Sequence, residues 1–205
     1  QPVHAPHLQV SYVDVLPVET LRLHYPELAQ VNLVAVDILA DGQRLETLPD
    51  ASQDFVIACH VIEHMVDPVE AMMNWCRVLK PGGRLFLAVP DKHKTFDKNR
   101  PITTLEHLRL DHEQPSRERD YEAFLEFAEE VSHKTFGSIP KEGIRAHADL
   151  MFEHNYSIHY HVWDTPAFQG FLEFLPGYAE GYDLKQIAAA PTEGEEFLHV
   201  LERPS

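Results

Sequence analysis

Residues 54–91 read DFVIACHVIEHMVDPVEAMMNWCRVLKPGGRLFLAVPD, and this stretch decides the fold. DFVIAC is a short apolar run rich in β-branched residues, bounded by a polar segment before it and by His60 after it, the composition of a buried strand. From Asp67 onward Val69, Met72, Met73, Cys76 and Leu79 recur at helical spacing. Asp67 suits an N-cap and Pro68 the first helical turn. Lys80-Pro81-Gly82-Gly83 supplies the stop: a cation, a proline that cannot continue a helix, and glycines free to take positive φ. RLFLAVP is a second apolar run. Strand, helix and strand in so short a span form a βαβ unit, which demands parallel pairing.

Outward from this unit, the N-terminal side opens with QPVHAPHLQ, a proline- and histidine-containing segment without periodicity. LQVSYVDVL reads as a strand near 9–14, PVETLRLHYPEL as a helix over 17–25, and NLVAVDIL as a strand near 32–37. ADGQRLETLPDASQ is a polar loop turning at Asp41-Gly42. Toward the C-terminus, residues 92–116 are charged and carry turn signals, with a helical stretch at 104–111. RERDYEAFLEFAEEVSHK predicts a helix over 117–133, and IRAHADLMFEH predicts another. YSIHYHVW is a strand or an extended segment, and DTPAFQGFLEFL a helix over 164–175 capped by Asp164 or Thr165. YDLKQIAAAP and EEFLHVLERP predict an antiparallel hairpin of strands near 182–189 and 196–202. The whole reads as one α/β domain: a doubly wound, mostly parallel sheet with a C-terminal antiparallel hairpin and a helical insertion.

Composition narrows the partners. The 205 residues carry 33 acids against 17 Lys plus Arg, a formal charge of −16. Such a surface repels phosphate backbones, so nucleic acid is not an expected partner. The two cysteines, Cys59 and Cys76, fall inside apolar elements and read as small buried hydrophobes of a reducing compartment. No apolar run approaches the ~18 residues of a membrane span, which makes a cytoplasmic protein the expectation.

With these residues in view, VDILADGQRLETLPDASQDFVIACHVIEHMVDP and RVLKPGGRLFLAVPD resemble class I S-adenosylmethionine-dependent methyltransferase domains, closest to bacterial proteins of the small-molecule type. The likeness rests on Asp54-Phe55 opening a strand, the Glu63-His64 pair, the Leu79–Gly83 helix stop and the terminal hairpin. It implies a Rossmann-like fold and S-adenosyl-L-methionine as cofactor. The family's first strand and its glycine-bearing loop have no counterpart ahead of Tyr12. The chain is therefore expected to be an N-terminally incomplete single domain over 1–205, with a helical and loop acceptor region over 92–160.

The resemblance places Asp14 at the end of the second family strand, where a carboxylate accepts hydrogen bonds from both ribose hydroxyls, with Val15 beside the adenine. As a plain acid it would cap or solvate a loop. Asp37 and Ile38 match the position that reads the adenine edge, although Asp37 is also an ordinary turn-initiating aspartate. His60 follows the fourth family strand at the carboxyl edge, where it would line the cofactor or serve as a catalytic base. Glu63 is explained by the dipole of the helix that it opens. Asp91, His93, His159, His161 and Trp163 are expected to face one substrate cavity walled by the 117–133 helix. Among 14 histidines, His154, His159 and His161 invite a metal reading, but no zinc-type spacing accompanies them and no metal is expected. The function expected is methyl transfer to a hydroxyl or nitrogen of a small polar acceptor such as a sugar or hydroxy acid. The alternative is a non-catalytic methyltransferase-like domain used as an interaction or scaffold module.

Overall fold

The computed structural model describes residues 7–28 and 30–205; most of the opening QPVHAPHLQ segment lies outside them. Its centre is the βαβ unit. Strand β3 (Gln53–Cys59) runs parallel to β4 (Leu79–Pro90), joined by helix α2 (Pro68–Val78). The Asp67 side chain accepts the Glu70 N–H at 2.9 Å with Pro68 in the first turn, so the helix starts where its sequence signals stand. Val69, Met72, Trp75 and Cys76 turn inward onto Leu85, Leu87 and Val89 of β4, and all seven are buried.

The helix stop works differently from the loop expected. β4 begins at Leu79, directly after α2, and the ladder jumps from Gln53–Leu79 to Phe55–Arg84. Lys80 to Gly83 therefore bulge out of the ladder opposite Asp54, whose carboxylate takes the Lys80 ammonium at 2.8 Å. Gly82 carries φ +78°, and a Cβ on Gly83 would sit 2.8 Å from the Lys80 carbonyl oxygen, so the bulge needs both glycines.

On its other side β4 pairs antiparallel with β6 (Glu196–Glu202), and β6 with β5 (Lys185–Pro191), giving the order β3-β4-β6-β5 and the expected terminal hairpin. Helix α6 (Thr165–Tyr178) is capped by Asp164 and runs through Pro176, three residues beyond the expected end. It lays Phe168, Phe171 and Leu175 against Trp163 and Phe197 in the main core.

The N-terminal part differs from expectation. Of the run near 9–14 only Val13–Asp14 forms a strand, β1, and the strand expected near 32–37 lies past it at Ile38–Leu39, β2; the two make a parallel pair flanked by helix α1 (Val18–His24). A strand is defined by its neighbours. Among the described residues β1 and β2 have only each other, and β3 has only β4. Cys59 corrects a second expectation: at the end of half-partnered β3 it is exposed, whereas Cys76 is buried.

The insertion carries its own small core. Helices α3 (Leu105–Glu113), α4 (Arg117–Phe127) and α5 (Ile144–Glu153) fall within it, and α4 continues into π-helical turns over Ala128–Thr135. Phe124, Ala128, Ala148, Met151 and Ile158 bury one another, with Tyr160 alongside. Among the described residues no helix is long and apolar enough to cross a membrane.

Candidate functional site

The carboxyl ends of the parallel strands hold half of the ten residues singled out from the sequence, Asp14, Val15, His60, Asp91 and His93. Asp14 ends β1, half-buried, and its Oδ1 accepts the Leu16 N–H at 3.0 Å in a local turn. Val15 is 61% exposed. Asp37 opens no turn. It closes the β1–β2 pair, its Oδ2 accepting the Tyr12 N–H at 2.9 Å while its own N–H donates to the Tyr12 carbonyl. Ile38 follows, half-buried in β2.

His60 leaves β3 with φ +52°, a left-handed conformation that a non-glycine residue adopts at some cost. Its N–H donates to the Ala88 carbonyl, which fixes the residue over the end of β4. Its ring Nε2 lies 2.6 Å from Glu196 Oε2, and Nδ1 lies 3.8 Å from Glu63 Oε1.

Glu63, expected to serve only the dipole of a helix that it opens, is placed otherwise. It sits in a single short turn, Ile62–His64, too brief to offer a helix dipole, and it is 1% exposed. Neither carboxylate oxygen has a hydrogen-bond partner. Burial pushes its carboxyl up to about 8, against the pull of its own backbone N–H and with the help of the Asp97 charge. Its main-chain carbonyl accepts the N–H groups of Tyr160 and His161, which pins the extended segment 157–163 across this turn. Further along, Val162 exchanges backbone and side-chain hydrogen bonds with Thr103, and Trp163 O accepts the Lys92 N–H.

That segment separates residues expected in one cavity. His159 turns toward Glu63, its Nε2 3.9 Å from Oε1, while its Nδ1 bonds Asp97 Oδ2 at 2.6 Å. Asp97 is anchored by the buried Arg100 at 2.9 Å, and Arg100 reaches on to Glu126 and the His159 carbonyl. Burial alone would raise the Asp97 carboxyl. The His159 hydrogen bond and the neighbouring positive charges outweigh it and hold the group below its ordinary value. His161 instead joins a second cluster, where Asp111 bonds His107 at 3.1 Å and Arg119 at 3.1 Å. Burial pushes His161 down to about 4, only partly offset by Asp111. Trp163 stacks into the core against Phe171, His93 lies exposed 3.5 Å from Asp164, and Asp91 caps its own turn by accepting the His93 N–H. The α4 helix stands by His161 through Arg119, not by Asp91 or His93.

Glu63, His64, Asp97, Arg100, His107 and Asp111 were not read from sequence as site members. The signal present was the adjacent Glu63-His64 pair; the 96-residue separation from His159 hid the rest.

Comparison with known proteins concerns the first half of the chain. Residues 8–87 match the family described as methyltransferase domain. The match spans 80 of the 205 residues, so this stretch is similar to methyltransferase domains, in a chain of α/β architecture. A protein of Mycolicibacterium smegmatis described as a probable S-adenosylmethionine-dependent methyltransferase is 34% identical over 79 residues, 38% of this chain and 28% of its own. One of Talaromyces variabilis described as an S-adenosyl-L-methionine-dependent Diels-Alderase is 32% identical over 88 residues, 41% of this chain and 30% of its own. The chain thus spans less than a third of these relatives. Among solved structures, the PH0226 protein of Pyrococcus horikoshii OT3 covers 96% of this chain and 72% of its own, at 16% identity and a TM-score of 0.48.

The donors present suit the nucleoside half of S-adenosylmethionine. The Asp14 side chain commits Oδ1 to Leu16 and carries no other hydrogen bond among the described residues, which leaves Oδ2 open toward a ribose hydroxyl. No glycine-bearing loop follows β1 or β3 among the described residues, so the methionine half meets no such cradle there.

Proposed function

We propose that this chain forms part of a methyltransferase that moves a methyl group from S-adenosylmethionine to a small polar acceptor. The observation that carries the reading is the match of residues 8–87 to the methyltransferase family, with Asp14 at the carboxyl end of β1 and His60 just past that of β3. Open α/β sheets bind ligands at those ends. When bound, S-adenosylmethionine supplies a methyl group on a positively charged sulfur that is also the leaving group. What remains for the protein is positioning and, for a hydroxyl acceptor, removal of a proton.

In this reading the free Asp14 oxygen holds a ribose hydroxyl, Val15 flanks the adenine, and Asp37 and Ile38 lie along its edge. His60 accepts the acceptor's proton at Nδ1 while Glu196 holds Nε2 and so fixes the tautomer. Asp91 and His93, on the loop after β4, meet the acceptor's hydroxyls. His159 supports the site through Glu63, whereas the buried His161 and Trp163 contribute only packing behind it. The charge of −16 favours an acceptor without phosphate, of which a sugar or hydroxy acid is the proposed type.

Calorimetry of the natural full-length protein with S-adenosylmethionine tests the reading. Asp14→Ala should weaken binding by about 1–3 kcal/mol, the worth of a hydrogen bond to a charged group. Unchanged affinity in that variant removes Asp14 from the site and this reading with it.

A further inference from the structure

We propose that Glu63, His64 and His159 form a binding site for a divalent transition-metal ion beside the carboxyl end of β3. One ligand atom from each lies within 4.8 Å of the others. Glu63 Oε1 stands 3.9 Å from His64 Nε2 and 3.9 Å from His159 Nε2, too far for a hydrogen bond and close to a coordination edge. Ligands about 2.0–2.1 Å from a tetrahedral ion are separated by about 3.3–3.4 Å, so the two Glu63 edges need to shorten by about half an ångström and the two imidazoles to close in from within 4.8 Å of each other.

The ring orientations point the same way. His64 Nδ1 lies 2.8 Å from the Ile158 carbonyl oxygen, which can only accept, so the proton belongs on Nδ1. His159 Nδ1 lies 2.6 Å from Asp97 Oδ2, and Arg100 holds that carboxylate charged, so Nδ1 carries a proton there too. Both Nε2 atoms then offer lone pairs to a carboxylate whose two oxygens have no partner and which is 1% exposed. Three electron-pair donors turned toward one another in a dry place call for a cation between them. The Asp97–His159 and Ile158–His64 contacts are the outer hydrogen bonds that orient metal-binding histidines.

Two imidazoles with one carboxylate suit zinc, cobalt, manganese or iron rather than the all-oxygen coordination that calcium and magnesium prefer. His60, more exposed and 3.8 Å from the same Glu63 oxygen, borders the cluster. The second cluster, His107, Asp111 and His161, is a poorer candidate. Its carboxylate is already engaged by Arg119 and by His107.

The test uses tag-free full-length protein, with Zn²⁺ followed by calorimetry and Co²⁺ by its visible absorption bands. It needs no methyl transfer, so it stands apart from the functional proposal. One ion per chain is expected, with binding weakened at least about 100-fold in Glu63→Gln and in His64→Gln and unchanged in His107→Gln. Glu63→Gln keeps the shape and replaces one oxygen donor by an amide nitrogen, and circular dichroism checks that it is folded. The proposal is overturned if the wild type takes up neither ion, if Glu63→Gln and His64→Gln bind as the wild type does, or if His107→Gln alone loses the ion.

Discussion

His161 shows how one residue's surroundings set a measurable property. It is buried against Trp163 and the Val66 carbonyl, and burial pushes its ring down to about 4 from 6.5. Below pH 6.5 the unfolded chain takes up a proton that the folded chain refuses, so stability falls as pH drops toward 4 and levels off beyond. The difference of about 2.5 pK units corresponds to about 3 kcal/mol. Urea denaturation of wild type and His161→Gln at pH 7 and pH 4 should show a loss on acidification smaller by up to that amount in the variant. Equal losses would mean that His161 titrates as an open histidine. Arg100 is the second residue-scale prediction. Its guanidinium is buried against Asp97, Glu126 and the His159 carbonyl, so Arg100→Ala strands a buried carboxylate and should cost about 3–5 kcal/mol in the same assay. These roles were invisible in the sequence. A lone Arg in a charged loop and a Glu in a polar turn look solvated until the chain returns over them from Ser157 to Trp163.

At the scale of elements, what could be read were the pieces whose signals are local. The β3–α2–β4 unit, the Asp67 and Asp164 caps and the terminal hairpin stand where their residues announce them. What could not be read depends on neighbours. β1 and β2 keep two residues each because their ladder ends with one another among the described residues, and no periodicity records that. The same fact predicts hydrogen exchange. Arg84 to Val89 of β4 pair with β6 on one side, and Arg84 to Ala88 with β3 on the other, so their amides should exchange slowest in the sheet. Along β3 alternate amides, those turned from β4, should exchange faster; uniform protection across β3 would reveal a partner on its open edge. The glycine bulge gives a sharper test. Gly82 at φ +78° has room for a methyl group, the nearest atom being Ser205 Oγ at 3.7 Å. Gly82→Ala should therefore cost only the backbone penalty, about 1–2 kcal/mol in urea denaturation.

For the whole molecule, the arrangement is a sheet edge assembled from two unlike parts. The main core of α2, α6 and the four-stranded sheet holds His60 and the Glu63 turn rigid. The insertion, with its own small core, returns His159 and His161 to that turn through the hydrogen bonds from Tyr160 and His161 to Glu63. The main sheet and the insertion are thereby joined at one carbonyl group. The central claim is that the carboxyl ends of β1, β2 and β3 bind the nucleoside of S-adenosylmethionine. Amide chemical shifts of the full-length protein titrated with S-adenosylmethionine test it most directly. The largest changes are expected at Asp14–Leu16, Asp37–Leu39 and Cys59–Val61, saturating together with a single affinity. Saturable binding that leaves those three stretches unmoved while shifting resonances elsewhere would contradict it.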